Sequence, residues 1–150
     1  APTCAARAGL RAPAWAPDGR SVLAVADGRL LSYAAYGGDA TRWKAPRTVY
    51  RAALLRAVAW LDDERVAVLA ADRRGRPAHL RVLERRRDGR FSTARTFPAH
   101  TGRELAAIDE HVALRRGRAA QDGPMVLLDL SRAQPRVRAL PTGVNPTWVE

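Results

Sequence analysis

Apolar residues fall in short alternating runs along this chain, and glycine, proline or paired acids break the runs every ten residues or so. Near the start, "SVLAVA" (21–26) and "RLLSYAA" (29–35) are separated by Asp27-Gly28. Asp-Gly between two such runs predicts a hairpin, because a type I′ turn needs positive φ at both central residues. Pro17-Asp18-Gly19 is a turn before them and Gly37–Asp39 a turn after them, ahead of "TRWKAP". Four strands joined by three tight turns make a meander. The frequency of glycine and proline disfavours helix, although "RTVYRAALLRAV" also reads as a helical turn.

The meander recurs. "APAWAPDGRSVLAV" aligns with "RAVAWLDDERVAVL": a small residue, tryptophan, an acidic turn, arginine, then an alternating apolar strand. Trp60 follows Trp15 by 45 residues. A third copy, "RELAAIDEHVALRR", carries Ala107 at the tryptophan position 47 residues further on, and "NPTWVE" places Trp148 another 41 residues away. A period of about 40 to 50 residues holding four short strands is the signature of propeller blades. The reading is all-β: a partial β-propeller of about three four-stranded antiparallel blades, at about 10–50, 51–98 and 99–141, with 142–150 opening a further blade. Strands are expected near 57–60, 65–71, 78–85 and 91–97 in the second blade. In the third they are expected near 104–108, 111–115, 124–130 and 136–140.

The stretch "PAWAPDGRSVLAVADGRLLSYAAYGG" resembles the repeat of the TolB-like propellers of bacteria, relatives of the WD40 group, whose blades carry a Trp-Ser-Pro-Asp-Gly turn. Here Ala16 stands where that family has serine, the second blade replaces the turn with "LDDE", and the third lacks the tryptophan. The resemblance implies a scaffold that binds other proteins, often after export, and so an extracytoplasmic setting. Tryptophan is expected to pack between neighbouring blades, a large apolar surface with one polar handle. The turn aspartate is expected to accept from amides two residues on. Trp15, Asp18, Gly19, Trp60 and Trp148 are therefore expected to be structural residues of the repeat.

Charge adds a second theme. The formal net charge is +11, and Lys44 is the only lysine among 26 cations. A GC-rich coding sequence explains the arginine excess, and the scatter of arginines through every segment favours that explanation. An anionic partner is the alternative, since guanidinium groups bind phosphate and carboxylate bidentately. In a meander the first and third turns share one rim and the second turn lies at the other. Asp18, Asp62, Asp63, Glu64, Asp109 and Glu110 thus fall on one rim, as do Arg85, Arg86, Arg87 and Arg90, which could pair locally. Arg73, Arg74, Arg76, Arg116 and Arg118 fall on the other and form the candidate binding rim. Nucleic acid is a poor fit, because the few aromatic residues are needed by the core and leave no stacking platform.

Catalytic motifs are missing from the chain: there is no Gly-x-Ser-x-Gly elbow, His-Glu-x-x-His or phosphate loop. His79, His100 and His111 are expected at a strand start, an inter-blade loop and another strand start, too dispersed for a metal or a catalytic cluster. Asp109-Glu110-His111 puts neighbours on opposite strand faces, which argues against a dyad. Neither metal nor cofactor is expected. Asp62–Glu64 lacks the Asp/Asn/Gly alternation of a calcium loop and could hold a cation only weakly. Cys4 is the sole cysteine, so no intrachain disulfide forms. "APTC" resembles a lipoprotein processing site, although the residues before Cys4 match it poorly and no apolar segment precedes them. No run reaches transmembrane length.

Closed propellers use four to eight blades. Three blades leave two raw flanks, so the chain is expected to belong to a longer ring or to pair with another copy or subunit; a stable open fan is the remaining option. The expected function is a non-catalytic protein-interaction platform. The alternatives are an accessory propeller of a larger enzyme, such as a peptidase, and an arginine-rich binder of anionic partners.

Overall fold

A computed structural model describes residues 10–34, 45–116 and 123–141. Among these residues the alternating runs become twelve strands, in three groups of four. The first sheet is β1 (Arg11–Trp15), β2 (Ser21–Ala26), β3 (Arg29–Ala34) and β4 (Arg47–Arg51). The second is β5 (Leu54–Trp60), β6 (Arg65–Ala71), β7 (His79–Arg85) and β8 (Phe91–Thr101). The third is β9 (Glu104–Ile108), β10 (His111–Arg115), β11 (Met125–Asp129) and β12 (Arg136–Leu140). Within each sheet, spatial order follows chain order and every pairing is antiparallel, so each is a meander. No helix forms among the described residues, and none of the sheets closes into a barrel.

The fold is all-β, a partial propeller of three blades. The innermost strands β1 and β9 both lie against β5, while the outermost strands β4 and β8 barely meet, so the sheets fan from a common axis. The second sheet is the middle leaf. On one face, Val58, Trp60, Val66, Val68, Leu83 and Phe91 pack against Leu23, Val25, Leu30 and Val49 of the first sheet. On the other, Ala57, Ala67, Leu69, Leu80, Val82 and Phe97 pack against Val112, Leu114, Val126 and Leu128 of the third. Period-two alternation delivers successive residues to opposite faces, and with both faces covered β6 reads as an unbroken apolar run. Each fully buried Val or Leu contributes about 1.5 to 3 kcal/mol.

The turns behave as their residues dictate. Asp27 and Gly28 have φ of 47° and 71°, as a type I′ hairpin requires. Gly19 lies at φ 67°, and the Asp18 carboxylate accepts from the Arg20 amide at 2.8 Å. Asp62, Asp88 and Asp129 accept in the same way from the amides of Glu64, Arg90 and Ser131. At the opposite rim each inter-blade connector is tied to the middle hairpin of the sheet it leaves: the Ala52 amide donates to the Gly28 carbonyl at 2.9 Å, and the Gly102 amide to the Ala78 carbonyl at 3.1 Å.

Three expectations are corrected. The fourth strand of the first blade is Arg47–Arg51, later in the chain than "TRWKAP", because Val49 is the residue that buries against the second sheet. For the same reason "RTVYRAALLRAV" is no helical turn; it forms β4, a two-residue connector and the start of β5. His100 sits in β8, which extends to Thr101, and not in an inter-blade loop. The turn at 37–39, Cys4, Arg118 and Trp148 lie outside the described residues.

Candidate functional site

Among the described residues, chemistry is presented at the two rims and on the outer faces of the two end sheets. On the first-turn rim the acids are largely committed to the fold. Asp62 receives the Glu64 and Arg65 amides and the Arg65 side chain, and the same guanidinium reaches Glu110 of the next blade at 2.5 Å. Partial burial pushes the Asp62 carboxyl up, but the bonds from Glu64 and Arg65 outweigh it and hold the group below the ordinary carboxylate range. Arg85, from the basic run on this rim, is stacked inward, with its guanidinium 5.0 Å from the Trp60 ring centre and 5.7 Å from that of Phe91. A funnel of about 590 Å3 opens where β1, β5 and β9 converge, with Trp15, Asp63, Ala107 and Asp109 among its lining residues. No group of three or more metal-ligating side chains occurs among the described residues.

At the other rim, Arg73, Arg74 and Arg76 are exposed in the turn between β6 and β7. Arg74 also borders a cleft of about 420 Å3 between the first two blades, together with Arg11, Arg56 and Asp27. The base of the turn is fixed by Arg81, which is buried, pairs with Asp72 at 2.8 Å and donates to the Tyr50 hydroxyl of β4 at 3.1 Å. Arg116 follows β10 of the third sheet. It is half-buried, its Nη2 is 3.2 Å from His100 Nδ1, and its Nε is buried without a partner. Burial, and then the Arg116 charge, depress the basicity of His100; burial, and then Arg81, do the same to His79.

The end faces carry the more telling geometry. Trp60 is 8 % exposed between the first two blades, donates its indole N–H to the Ala14 carbonyl at 3.2 Å and meets Phe91 edge-on at 6.0 Å. Trp15 holds the same register position: it pairs with Val22 as Trp60 pairs with Val66 and as Ala107 pairs with Val112. It faces away from the second sheet and is 61 % exposed. The expected wedge between blades is therefore Trp60, whereas Trp15 projects from an open flank.

A second repeated position was not singled out from the sequence. Register equates Arg47, Arg95 and Arg138, which pair with Ser32, Val82 and Leu127 in turn. Each of those partners pairs in turn with the residue following Val22, Val66 or Val112. Arg95 crosses to the third blade and donates to the carbonyls of Leu130 at 2.6 Å and Arg132 at 2.5 Å, in the turn between β11 and β12. Arg47 crosses to the same turn of the second blade, where its Nη1 would lie 3.4 Å from a Cβ placed on Gly89. Arg138 is exposed on the outer face of the third sheet. The signal is Arg-x-apolar in every fourth strand: Arg47-Thr-Val, Arg95-Thr-Phe and Arg138-Ala-Leu.

No protein-family model and no curated protein matches the chain.

Proposed function

We propose that this chain is a non-catalytic protein-interaction platform of the TolB-like propeller type, which docks its partner through an open blade flank. One observation carries the reading: Trp15 occupies the register of Trp60, the wedge of an internal blade interface, yet stands exposed. A side chain that packs between blades at one repeat is suited to pack against a further β-leaf at the next. The flanking "APAWAPDGR" supports the TolB-like kinship and, through it, an extracytoplasmic setting in a bacterium. No helix among the described residues is long and apolar enough to cross a membrane. An accessory propeller of a larger enzyme would use the same flank.

The test is a photoreactive phenylalanine at position 15, compared with one at position 74, irradiated in the source cells and mapped by mass spectrometry. The reading expects crosslinks from position 15 into the apolar face of a β-sheet. Crosslinking at position 74 alone would overturn it.

A second reading has its own observation. Arg11, Arg56 and Arg74 converge on one cleft, an arrangement suited to a polyanion. Binding of a polyanion there would weaken steeply with salt, and more so in wild type than in Arg73→Ala/Arg74→Ala/Arg76→Ala.

A further inference from the structure

The cleft between the first two blades lies where two innermost strands break their register. In β1, Ala12 and Pro13 together oppose the single Ala24, because Arg11 pairs with Val25 and Ala14 with Leu23. In β5, Arg56 is an inserted residue, because Leu55 pairs with Ala70 and Ala57 with Leu69. Each bulge re-aims its arginine. By plain alternation Arg11 would share the face of Trp15, four residues on, which looks away from the second sheet. The bulge instead sets it opposite Val25, which is buried against the second sheet. Directly paired residues share a face, so Arg11 is turned toward the second sheet. The inserted Arg56 likewise splits Leu55 and Ala57 between opposite cores and stays outside both. The bulge in β1 carries backbone strain: Ala12 lies at φ 48°, a left-handed conformation unfavourable to a residue with a Cβ. At the level of Arg11 the third sheet has no bulge; Glu104 stands there and pairs with Arg115 at 2.9 Å.

Arg74, from the turn between β6 and β7, completes the set. Arg11, Arg56 and Arg74 are all exposed, and none makes an ion pair or side-chain hydrogen bond among the described residues, unlike Arg65, Arg81, Arg95 and Arg115. Among the described residues Asp27 is the only acid of the lining. Three guanidinium groups facing one carboxylate repel one another, and an anionic ligand relieves that repulsion. We propose that this cleft binds a compact polyanion, a small molecule bearing two or more phosphate or carboxylate groups. This rests on the second reading above and names its ligand. The volume of about 420 Å3 falls in the range of small-molecule sites. The arginines come from three separate elements around one cavity, an enclosing arrangement, and not in a row along a groove as a polymer would need. Val25 and Leu55, both buried, give the cleft an apolar floor, which strengthens charge pairing above it. Each guanidinium offers a planar fork of N–H donors that matches one edge of a phosphate or carboxylate.

Isothermal titration calorimetry on the purified chain at fixed ionic strength, with inorganic pyrophosphate and tricarballylate as probes, tests this. One probe molecule per chain is expected, and the tighter probe identifies the anionic group. Arg11→Ala, Arg56→Ala and Arg74→Ala should each weaken binding about tenfold or more. Arg73→Ala and Arg76→Ala remove the same charge from the turn but not from the lining, and should weaken it less than about twofold. Asp27→Asn should tighten it about threefold or more, since Asn accepts the positive φ of the turn and the opposing carboxylate is gone. Equal losses in all five arginine variants, or no loss at Arg11, Arg56 and Arg74, would overturn the proposal, because either means a diffuse response to net charge or a site elsewhere. Heparin, a linear polyanion, separates the proposal from the reading beneath it. Heparin binding weakened by Arg56→Ala, with neither small probe bound, overturns the compact ligand and leaves the polyanion reading standing. No binding of heparin or of either small probe removes both.

Discussion

Trp15 and Trp60 have matching neighbours in sequence and opposite environments, because burial depends on which sheet stands in front of the indole and not on the residues beside it. Trp60→Ala should lower stability by about 3 to 5 kcal/mol in a denaturant titration, since it opens a cavity among Val66, Leu83 and Phe91. Trp15→Ala in dilute, monomeric chain should change it by less than about 0.5 kcal/mol. Asp18, Gly19, Asp27 and Gly28 were legible one by one, because turn geometry is local. The place of Gly28 in the tertiary structure was not: a Cβ there would lie within van der Waals overlap of the Ala52 carbonyl oxygen. Gly28→Ala should therefore destabilise more than Gly19→Ala, which meets open space and bears only the strain of its φ, about 1 kcal/mol. His79 and His100 give a pH dependence. Both are held below the ordinary value of 6.5, so just below that pH the unfolded chain binds more protons than the folded one. Their contribution is whole above pH 6.5 and is lost as pH falls through the lowered values. Denaturation midpoints at about pH 7.5 and 5.5 should show the loss, and a His79→Gln/His100→Gln variant should show less of it.

Among the strands, β6, β9, β10 and β12 fall where alternation and turn residues place them, since both their ends are marked by local chemistry. The boundary between the first two blades was ambiguous for a physical reason. Only Ala52 and Ala53 separate β4 from β5, and the sequence there carries no glycine or proline to mark the break. What identifies β4 is Val49 burying against another sheet, a long-range contact. The crossing arginines escaped notice because the excess of arginine hides three that share a register. Arg95→Ala should lower stability by about 1 to 2 kcal/mol, and Arg95→Lys should recover little of it, because an ammonium cannot span the Leu130 and Arg132 carbonyls as the planar guanidinium does. Thermal denaturation of the two variants checks both statements.

Among the described residues, the middle sheet is covered on both faces and the end sheets on one. Backbone amides of Val66–Ala71 should exchange hydrogen only through global unfolding, while those of β3 and β12 exchange through smaller openings, which hydrogen-exchange mass spectrometry separates. Salt should distinguish the two functional readings, because a contact between apolar sheet faces is little affected by ionic screening whereas arginine–polyanion contacts are weakened by it. Added salt should leave docking through the Trp15 flank unchanged or tighten it, and should loosen a polyanion held by Arg11, Arg56 and Arg74. The repeat made the architecture readable from sequence, whereas the direction of the interfaces needed coordinates, since it depends on which face each residue takes. The connectors at Ala52 and Gly102 bear on ancestry. Each is fastened to the hairpin behind it before the next meander begins, so a duplicated or deleted segment bounded by two such joints keeps its neighbours in phase. A gene built this way can grow or shrink by whole leaves without unfastening those that remain.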